Sequence, residues 1–494
     1  MKKTILILGV VLGLASAGTL AAADDGKLGE ALAYASERKS AYVDELIALT
    51  KIPSISTLKE HEQDMRRAAS WVKDRCERAG LGVEIMETGA QPIVFCSRSA
   101  GVQGAPTVLV YAHYDVQPAD PFELWNHEPF EAHAKDGRIL GRGASDDKSG
   151  VLLSLQAVEA ILKTSGSLPV NVKFMIEGQE EIGSPQLEDF LAEHGEKFKA
   201  DLCFSADGGQ ISEAQPRVIT SLRGLAAVEV NLKTANSDLH SGTFGGAAPN
   251  ALHVLNAMVA SLHNPDGSVN IPGFYDDVAA MSEEEKANTE FPDALFEQGM
   301  RNEGITGFVG EKGFGSFART TIRPTLEITG MWGGFQGEGV KTIVPKEANV
   351  KIACRLVANQ NAAKIQDLLR KHILAIAPPY AEVAFTGGSF DRAQPYSVAF
   401  DGPSSKIAKT VLEKTFDAKV MFTKMGGTIP AMNLFRQKVG AESALLGFSE
   451  PDNNLHAPNE FMRESIFHKG REVYVRLLFE VAEFFAKAKD KTEL

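Results

Sequence analysis

The sequence predicts an α/β protein, a mostly parallel sheet flanked by helices, with an inserted α+β domain. Three observations carry this reading. Short apolar runs at Thr107–Ala112, Val170–Ile176 and Leu202–Phe204 alternate with helix-like stretches at Ser149–Lys163 and Pro185–His194. That is the pattern of parallel strands joined by helical crossovers. Around Gly224 the pattern changes to a half-exposed strand alternation, and beyond Gln394 the helix–strand alternation returns. Finally, 494 residues exceed one ordinary domain, so two domains or a large insertion are expected.

The chain opens with Lys2 and Lys3, an apolar stretch from Ile5 to about Ala15, and Ala21-Ala22-Ala23 before Asp24. This reads as an export signal over residues 1–23 with cleavage after Ala23. No Cys at that junction points to lipidation. The alternative is an uncleaved anchor, since the uncharged stretch Ile5–Ala23 is nearly long enough to span a bilayer. Export predicts a periplasmic or secreted protein with no stable membrane span after cleavage.

From Asp24 to about Gly80 the apolar positions Val43, Ile47, Leu49, Ala69, Trp71 and Val72 recur at roughly helical spacing. The α/β pattern follows, and Ser184-Pro185 is a helix-start signal. Leu225–Lys233 alternates like a half-exposed strand, Asn250–Leu262 reads as a helix, and Thr325–Ile328 and Ala348–Val357 read as strands. Gln360–Ile376 is helical, with Pro378-Pro379 as its stop, and a long final helix starts near Phe461. The expected division is a catalytic domain from residues 24–223 and 391–494, split by an inserted domain at 224–390.

Composition removes some functions. Hydrophobic residues make up 44% and charged residues 23%, ordinary proportions for a globular protein. The formal charge of −13 and the lack of a long basic run argue against nucleic acid. An anionic substrate would need local Arg or Lys contacts. The four cysteines, Cys76, Cys96, Cys203 and Cys354, are too sparse for a disulfide framework and show no CxxC spacing. Cys203 and Cys354, in apolar runs, are expected to be buried small hydrophobes.

The chemistry lies in an ordered set of ligand-type residues: Tyr111-Ala-His113-Tyr-Asp115, Gly143-Ala-Ser-Asp146-Asp147-Lys-Ser-Gly150, Glu177-Gly-Gln-Glu180-Glu181-Ile-Gly183, Ser205-Ala-Asp207-Gly208 and Leu455-His456-Ala457. Most follow an apolar run, and binding sites of open α/β sheets lie beyond the carboxyl ends of the strands. Two imidazoles and three carboxylates suit a pair of zinc-like ions. Asp115, two residues after His113, is placed to fix its tautomer. Asp146 lies in a glycine-bounded turn before a helix, where its two oxygens suit a bridge between ions. The Glu180-Glu181 pair offers one carboxylate to a metal and one as a general base for water. Taken singly, each has a plainer reading: a helix N-cap for Asp146, a solvated face for Glu180-Glu181, a turn for Asp207-Gly208-Gly209. Their joint occurrence in this order outweighs those readings. His61, His127, His133, His194, His253, His263, His372 and His468 lack such context.

These motifs resemble the family-20 metallopeptidases, the family of carnosine dipeptidase, aminoacylase, acetylornithine deacetylase and succinyl-diaminopimelate desuccinylase. The resemblance runs from about Val43 to the C-terminus, and its most specific pieces are YAHYDVQP, GRGASDDKSG, EGQEEIGS and the terminal HAPNE. It implies a di-zinc catalytic domain with an inserted lid or dimerisation domain, hence a homodimer. Two divalent ions per subunit follow, most suitably Zn2+, with Mn2+ or Co2+ as alternatives. One ion would be held by His113, Asp146 and Asp207, the other by Asp146, Glu181 and His456, with Asp146 bridging. Glu180 matches the general base, Asp115 the residue orienting His113, and the Asp146–Asp147 peptide bond is cis in the family. His240, in Asp238-Leu-His240-Ser-Gly, matches a lid histidine that reaches the partner's active site and polarises the scissile carbonyl. Arg355 would clamp a C-terminal carboxylate, with Thr342, Gly427 and Thr428 beside the substrate.

Asp at position 207 is associated in the family with dipeptidases and aminopeptidases, and Glu there with deacylases and carboxypeptidases. The expected activity is therefore hydrolysis of dipeptides with a free C-terminal carboxylate. The alternatives are an N-acyl-amino-acid amidohydrolase, a carboxypeptidase, or a non-catalytic periplasmic peptide-binding protein.

Overall fold

The computed structural model describes residues 12–281, 283, 285, 286, 293–302, 304–386 and 392–492. The basic start of the expected signal, Lys2 and Lys3, and most of its apolar stretch lie outside them. The chain divides into two units. The first comprises residues up to Val218, Asp401–Met421, and the chain from Leu434 onward; the second comprises Ile219–Phe400 and Phe422–Asn433. The segment Phe422–Asn433 thus falls outside the catalytic stretch in which the sequence placed it. Hydrogen bonds explain why: Arg223 N donates to Gly427 O at 3.0 Å, and Thr428 Oγ1 donates to Arg223 O at 2.7 Å.

In the first unit the apolar runs become strands that leave ligand-type residues at one edge of a sheet. The order is Gly82–Met86, Ile93–Arg98, Asn171–Glu177, Thr107–His113, Leu202–Ser205 and Glu442–Leu445. The first three pair antiparallel and the last four parallel, so the sheet is mixed but parallel around the site. Register aligns His113 with Glu177, Tyr111 with Ser205, and Leu445 with Ser205. These parallel strands therefore end together. The loops after them carry Asp115, Glu180-Glu181, Asp207 and His456.

Val108–Ala112 is entirely buried, as expected for a central parallel strand covered on both faces. One cover is the helix Lys148–Ser165, whose residues from Lys148 to Val158 are all buried. It packs against the strand Thr107–His113 and against the helices Leu12–Glu37, Lys39–Thr50 and Glu464–Thr492. Gly166 closes it in the left-handed conformation at φ 70°, the role for which glycine carries no steric cost. Among the described residues no helix is long and apolar enough to cross a membrane.

Three sequence expectations shift. The helix after Ser184-Pro185 runs from Leu187 to Phe198, because Ser184 is not its cap: its Oγ donates to Glu177 Oε1 at 2.9 Å. The final helix begins at Glu464, since Phe461–Arg463 is a short strand paired with Arg138–Leu140. Cys76 and Cys96, read as uninformative, form a disulfide between the helix Glu62–Arg78 and the strand Ile93–Arg98. Their separation of 20 residues gave no pattern to detect. Cys203 and Cys354 are free and buried.

The second unit is built on an antiparallel sheet ordered Thr325–Gly333, Glu347–Leu356, Gly224–Lys233, Glu382–Thr386. Gly224–Lys233 buries every other side chain, the alternation read from the sequence. Its inward residues Ala226, Val228, Val230 and Leu232 pack with Val350, Ile352, Leu255 and Leu369. The last two come from the helices Ala251–Ala260 and Ala362–Ile376. Both helices start on asparagine caps: Asn250 accepts from the amides of Leu252 and His253, Asn361 from that of Lys364.

Candidate metal centre

The strand ends bring seven of the predicted side chains into one cluster of the first unit. His113, Glu180 and Asp207 form one group of potential metal donors; Asp146, Glu181 and His456 form another. Within each group the donor atoms lie within 4.8 Å of one another. Asp146 faces both: its Oδ1 is 3.2 Å from His113 Nε2, and its Oδ2 is 3.1 Å from His456 Nε2. His456 Nε2 is also 3.2 Å from Glu181 Oε2. One carboxylate thus presents an oxygen to each imidazole, the disposition a bridging ligand needs.

Asp115 organises the centre from behind. His113 Nδ1 lies 3.1 Å from the carbonyl oxygen of Asp115 and 3.3 Å from its Oδ1. Both are acceptors, so Nδ1 carries the proton and Nε2 presents its lone pair to the cluster. The same carboxylate accepts from the backbone amides of Glu180 at 3.2 Å and Glu181 at 3.1 Å. Ser56 Oγ donates to it at 2.7 Å. Asp115 therefore sets three site residues at once. On Asp146's other side the peptide bond to Asp147 is cis, and Asp147 Oδ2 accepts from the amide of His113 at 3.3 Å.

The charges show what the cluster requires. Burial would raise the carboxyl of Asp146, but the imidazoles of His113 and His456 beside it outweigh burial and hold that group below the usual range. Burial raises Glu180 well above its ordinary value, and the charges of Asp207 and Glu181 add to the rise. Asp207 is pushed up to about 7 by burial and by Asp146. Hydrogen bonds to Asp146 and Glu181 raise His456 to about 10. His113 Nε2 is buried, with the Asp146 carboxylate 3.2 Å away. Acids crowded together around two imidazoles fit a pair of divalent cations, whose charge would offset the repulsion.

A family model described as Peptidase family M20/M25/M40 matches residues 109–480 of the chain. The chain belongs to this family. It is therefore a metallopeptidase, of a family that binds two divalent metal ions. The cysteinylglycine-S-conjugate dipeptidase of Corynebacterium striatum is 31% identical over 423 residues, 84% of this chain and 90% of that one. Among solved structures, the M20 family metallo-carboxypeptidase Sso-CP2 from Sulfolobus solfataricus superposes with a TM-score of 0.80 at 29% identity, covering 90% of this chain and 99% of that one. Human carnosine dipeptidase 1 gives a TM-score of 0.76 at 26% identity, covering 92% of this chain and all 100% of that one.

The substrate-side residues that the M20 resemblance implied all lie in the second unit. Arg355 Nη1 donates to Thr428 Oγ1 at 2.7 Å, and Gly427 accepts from the amide of Arg223, so Arg355, Gly427 and Thr428 gather around one loop. His240 and Thr342 come together separately: Leu239–His240 pairs with Ile343–Val344, and Ser241 N donates to Thr342 O at 3.0 Å. Both side chains are exposed.

Sequence reading missed several supporting residues. Gln117 Nε2 donates to Glu181 Oε2 at 2.9 Å and to its carbonyl at 3.1 Å. The alternation His113, Asp115, Gln117 was a signal for it, since such residues share one side of an extended chain. Arg223 holds Gly426 O through Nε at 3.0 Å and lies close enough for Arg355 to lower its pKa, after burial the second cause, to about 10. Its neighbourhood is built by chain segments about 200 residues apart, which no local pattern reports.

Proposed function

We propose that this chain is a metal-dependent dipeptidase that cleaves dipeptides bearing a free C-terminal carboxylate. The observation that carries it is the donor cluster in which Asp146 faces both imidazoles while Glu180 remains beside them as a spare carboxylate. His113, Asp146 and Asp207 would hold one ion, and Asp146, Glu181 and His456 the other. Ions held there would supply Lewis acidity, which acidifies water and polarises a carbonyl. Zinc suits two imidazoles and three carboxylates.

Glu180 takes the proton of the attacking water and delivers it to the leaving amine nitrogen. Its elevated proton affinity suits that exchange. Asp115 keeps His113 in one tautomer and, through the Glu180 amide, fixes where the base stands. Arg355, bonded to Thr428, offers its remaining N–H groups to a carboxylate. The relatives support the substrate class, two being named dipeptidases and one a carboxypeptidase. Release of amino acids from free dipeptides, N-acetylated dipeptides and longer peptides, with zinc- or manganese-refilled protein, tests the reading. Cleavage of free dipeptides alone supports it; cleavage of acylated substrates alone makes the chain an amidohydrolase, and trimming of long peptides a carboxypeptidase.

The working form in this reading is a homodimer formed through the lid domain. Strand Thr325–Gly333 is at the end of its sheet and carries the exposed Ile328, Met331 and Trp332. An exposed apolar edge strand is a template for pairing with a second chain. His240 would then serve the partner's site. Mixing Glu180→Gln and His240→Ala protomers should restore a fraction of the activity each homodimer lacks. A monomer in sedimentation at working concentration would refute the arrangement.

Export to the periplasm or medium completes the proposal. It is supported by the signal-like first 23 residues and by the Cys76–Cys96 disulfide, a bond that persists in oxidising compartments. Recovery of the cytoplasmic fraction with four free thiols would count against it.

A further inference from the structure

Glu460 sits four residues after His456 in the terminal HAPNE segment and is fully buried. Among the described residues, the carboxylate's hydrogen-bond partners are all donors from the turn that carries Asp146. Oε2 accepts from Arg142 Nη1 at 2.6 Å and Gly143 N at 3.0 Å; Oε1 accepts from Ser145 N at 3.0 Å and Asp146 N at 3.1 Å. The Glu460 carbonyl also takes the amide of Gly141 at 3.0 Å. The turn is thus folded around a carboxylate that arrives more than 300 residues later in the chain.

The two segments are stitched further on either side. Arg142 Nη2 reaches the carbonyls of Ala457 and Pro118, each at 3.3 Å. Ser145 Oγ donates to Asn453 Oδ1 at 3.0 Å. Asn459 accepts from the amide of Asn126 at 2.7 Å and donates to Leu124 O at 3.0 Å. Between these ties, His456 is held at φ 58°, a left-handed conformation that a non-glycine residue keeps only where its surroundings enforce it.

We propose that Glu460 is a positioning residue of the metal centre: it locks the Asp146 turn to the His456 loop and so fixes the distance between two ligands of the second ion. This rests on reading Asp146 and His456 as ligands. Glu460 belongs to neither donor group; it acts through the Asp146 amide and through the backbone it shares with His456. An amide in its place would fail for a specific reason. All four partners are donors, so either orientation of a Gln side chain turns an N–H toward N–H groups.

The test is metal binding by purified wild-type, Glu460→Gln, Arg142→Lys and Asp146→Ala proteins. Ions are counted after dialysis and their affinity is titrated with zinc alone, with circular dichroism to establish folding. For folded Glu460→Gln the expectation is about 10–100-fold weaker binding of one of two ions, the cost usual when a residue that orients a ligand is lost. Lost turnover should return as zinc is raised, with KM nearly unchanged. A purely structural role would lower the amount of folded protein but leave that affinity unmoved. Folded Glu460→Gln that binds both ions with wild-type affinity overturns the proposal. If this variant does not fold, Arg142→Lys carries the test: it keeps a cation beside Glu460 but loses the guanidinium bonds to Ala457 and Pro118. The proposal then requires weaker binding of one ion, and unchanged affinity overturns it. Asp146→Ala separates the two levels: if it keeps both ions, or the wild type holds none, the ligand assignment fails and the brace with it.

Discussion

At the scale of single residues, the sharpest question concerns Glu180. It stands with His113 and Asp207 as a potential donor, yet the mechanism assigns it to proton transfer. Glu180→Gln distinguishes these roles. As a base its loss should lower kcat by about 10²–10⁴-fold while metal content stays at two ions. Loss of an ion along with the activity would make Glu180 a ligand instead. The ligand-type residues were legible in the sequence because most follow an apolar run that ends in a turn, and residue chemistry is itself a local property. Gln117, Arg142 and Glu460 were less so: their importance is a matter of which amide or carboxylate they meet, and a partner such as the Asp146 amide lies far away in sequence.

At the scale of elements, the C-terminal helix Glu464–Thr492 closes the first unit and carries a pH-sensitive contact. Arg471 Nη2 donates to His468 Nδ1 at 3.1 Å, which requires an unprotonated nitrogen. Burial, then the charges of Arg471 and Lys39, lower His468 to about 4. A histidine whose folded pKa is depressed contributes stability above its unfolded value of about 6.5, lost as pH falls toward the folded value. Chemical denaturation of wild type should therefore show stability declining from about pH 6.5 to pH 4, and His468→Gln should flatten that part of the profile. Equal slopes for both proteins would remove His468 as the source. Helix and strand periods were readable in this region, but the start of the helix was not. Phe461–Arg463 pairs with Arg138–Leu140, and a three-residue strand has too few positions to display a period.

At the scale of the whole molecule, the donor cluster links metal to stability. Ions that bind the folded centre and not the unfolded chain add about 4 kcal/mol at roughly a thousand times their Kd. Stripping them leaves the buried acids repelling one another. Thermal unfolding after dialysis against a chelator should show a lower midpoint for the transition of the first unit, restored by zinc. A midpoint indifferent to metal content would show that the cluster does not hold its ions as proposed.

The sequence by itself determined the class of fold and the kind of chemistry. Alternating apolar runs and helical stretches specify a mostly parallel sheet, and the order of His, Asp and Glu residues after those runs specifies metal donors, because both are written in local pattern and residue type. Only the tertiary structure decided that Cys76 meets Cys96, that Phe422–Asn433 joins the second unit around Arg223, and that one carboxylate at Glu460 gathers the whole Asp146 turn. Those are long-range pairings. They are selected by how elements pack and by the cost of leaving buried donors and acceptors unmatched, and a linear pattern carries neither.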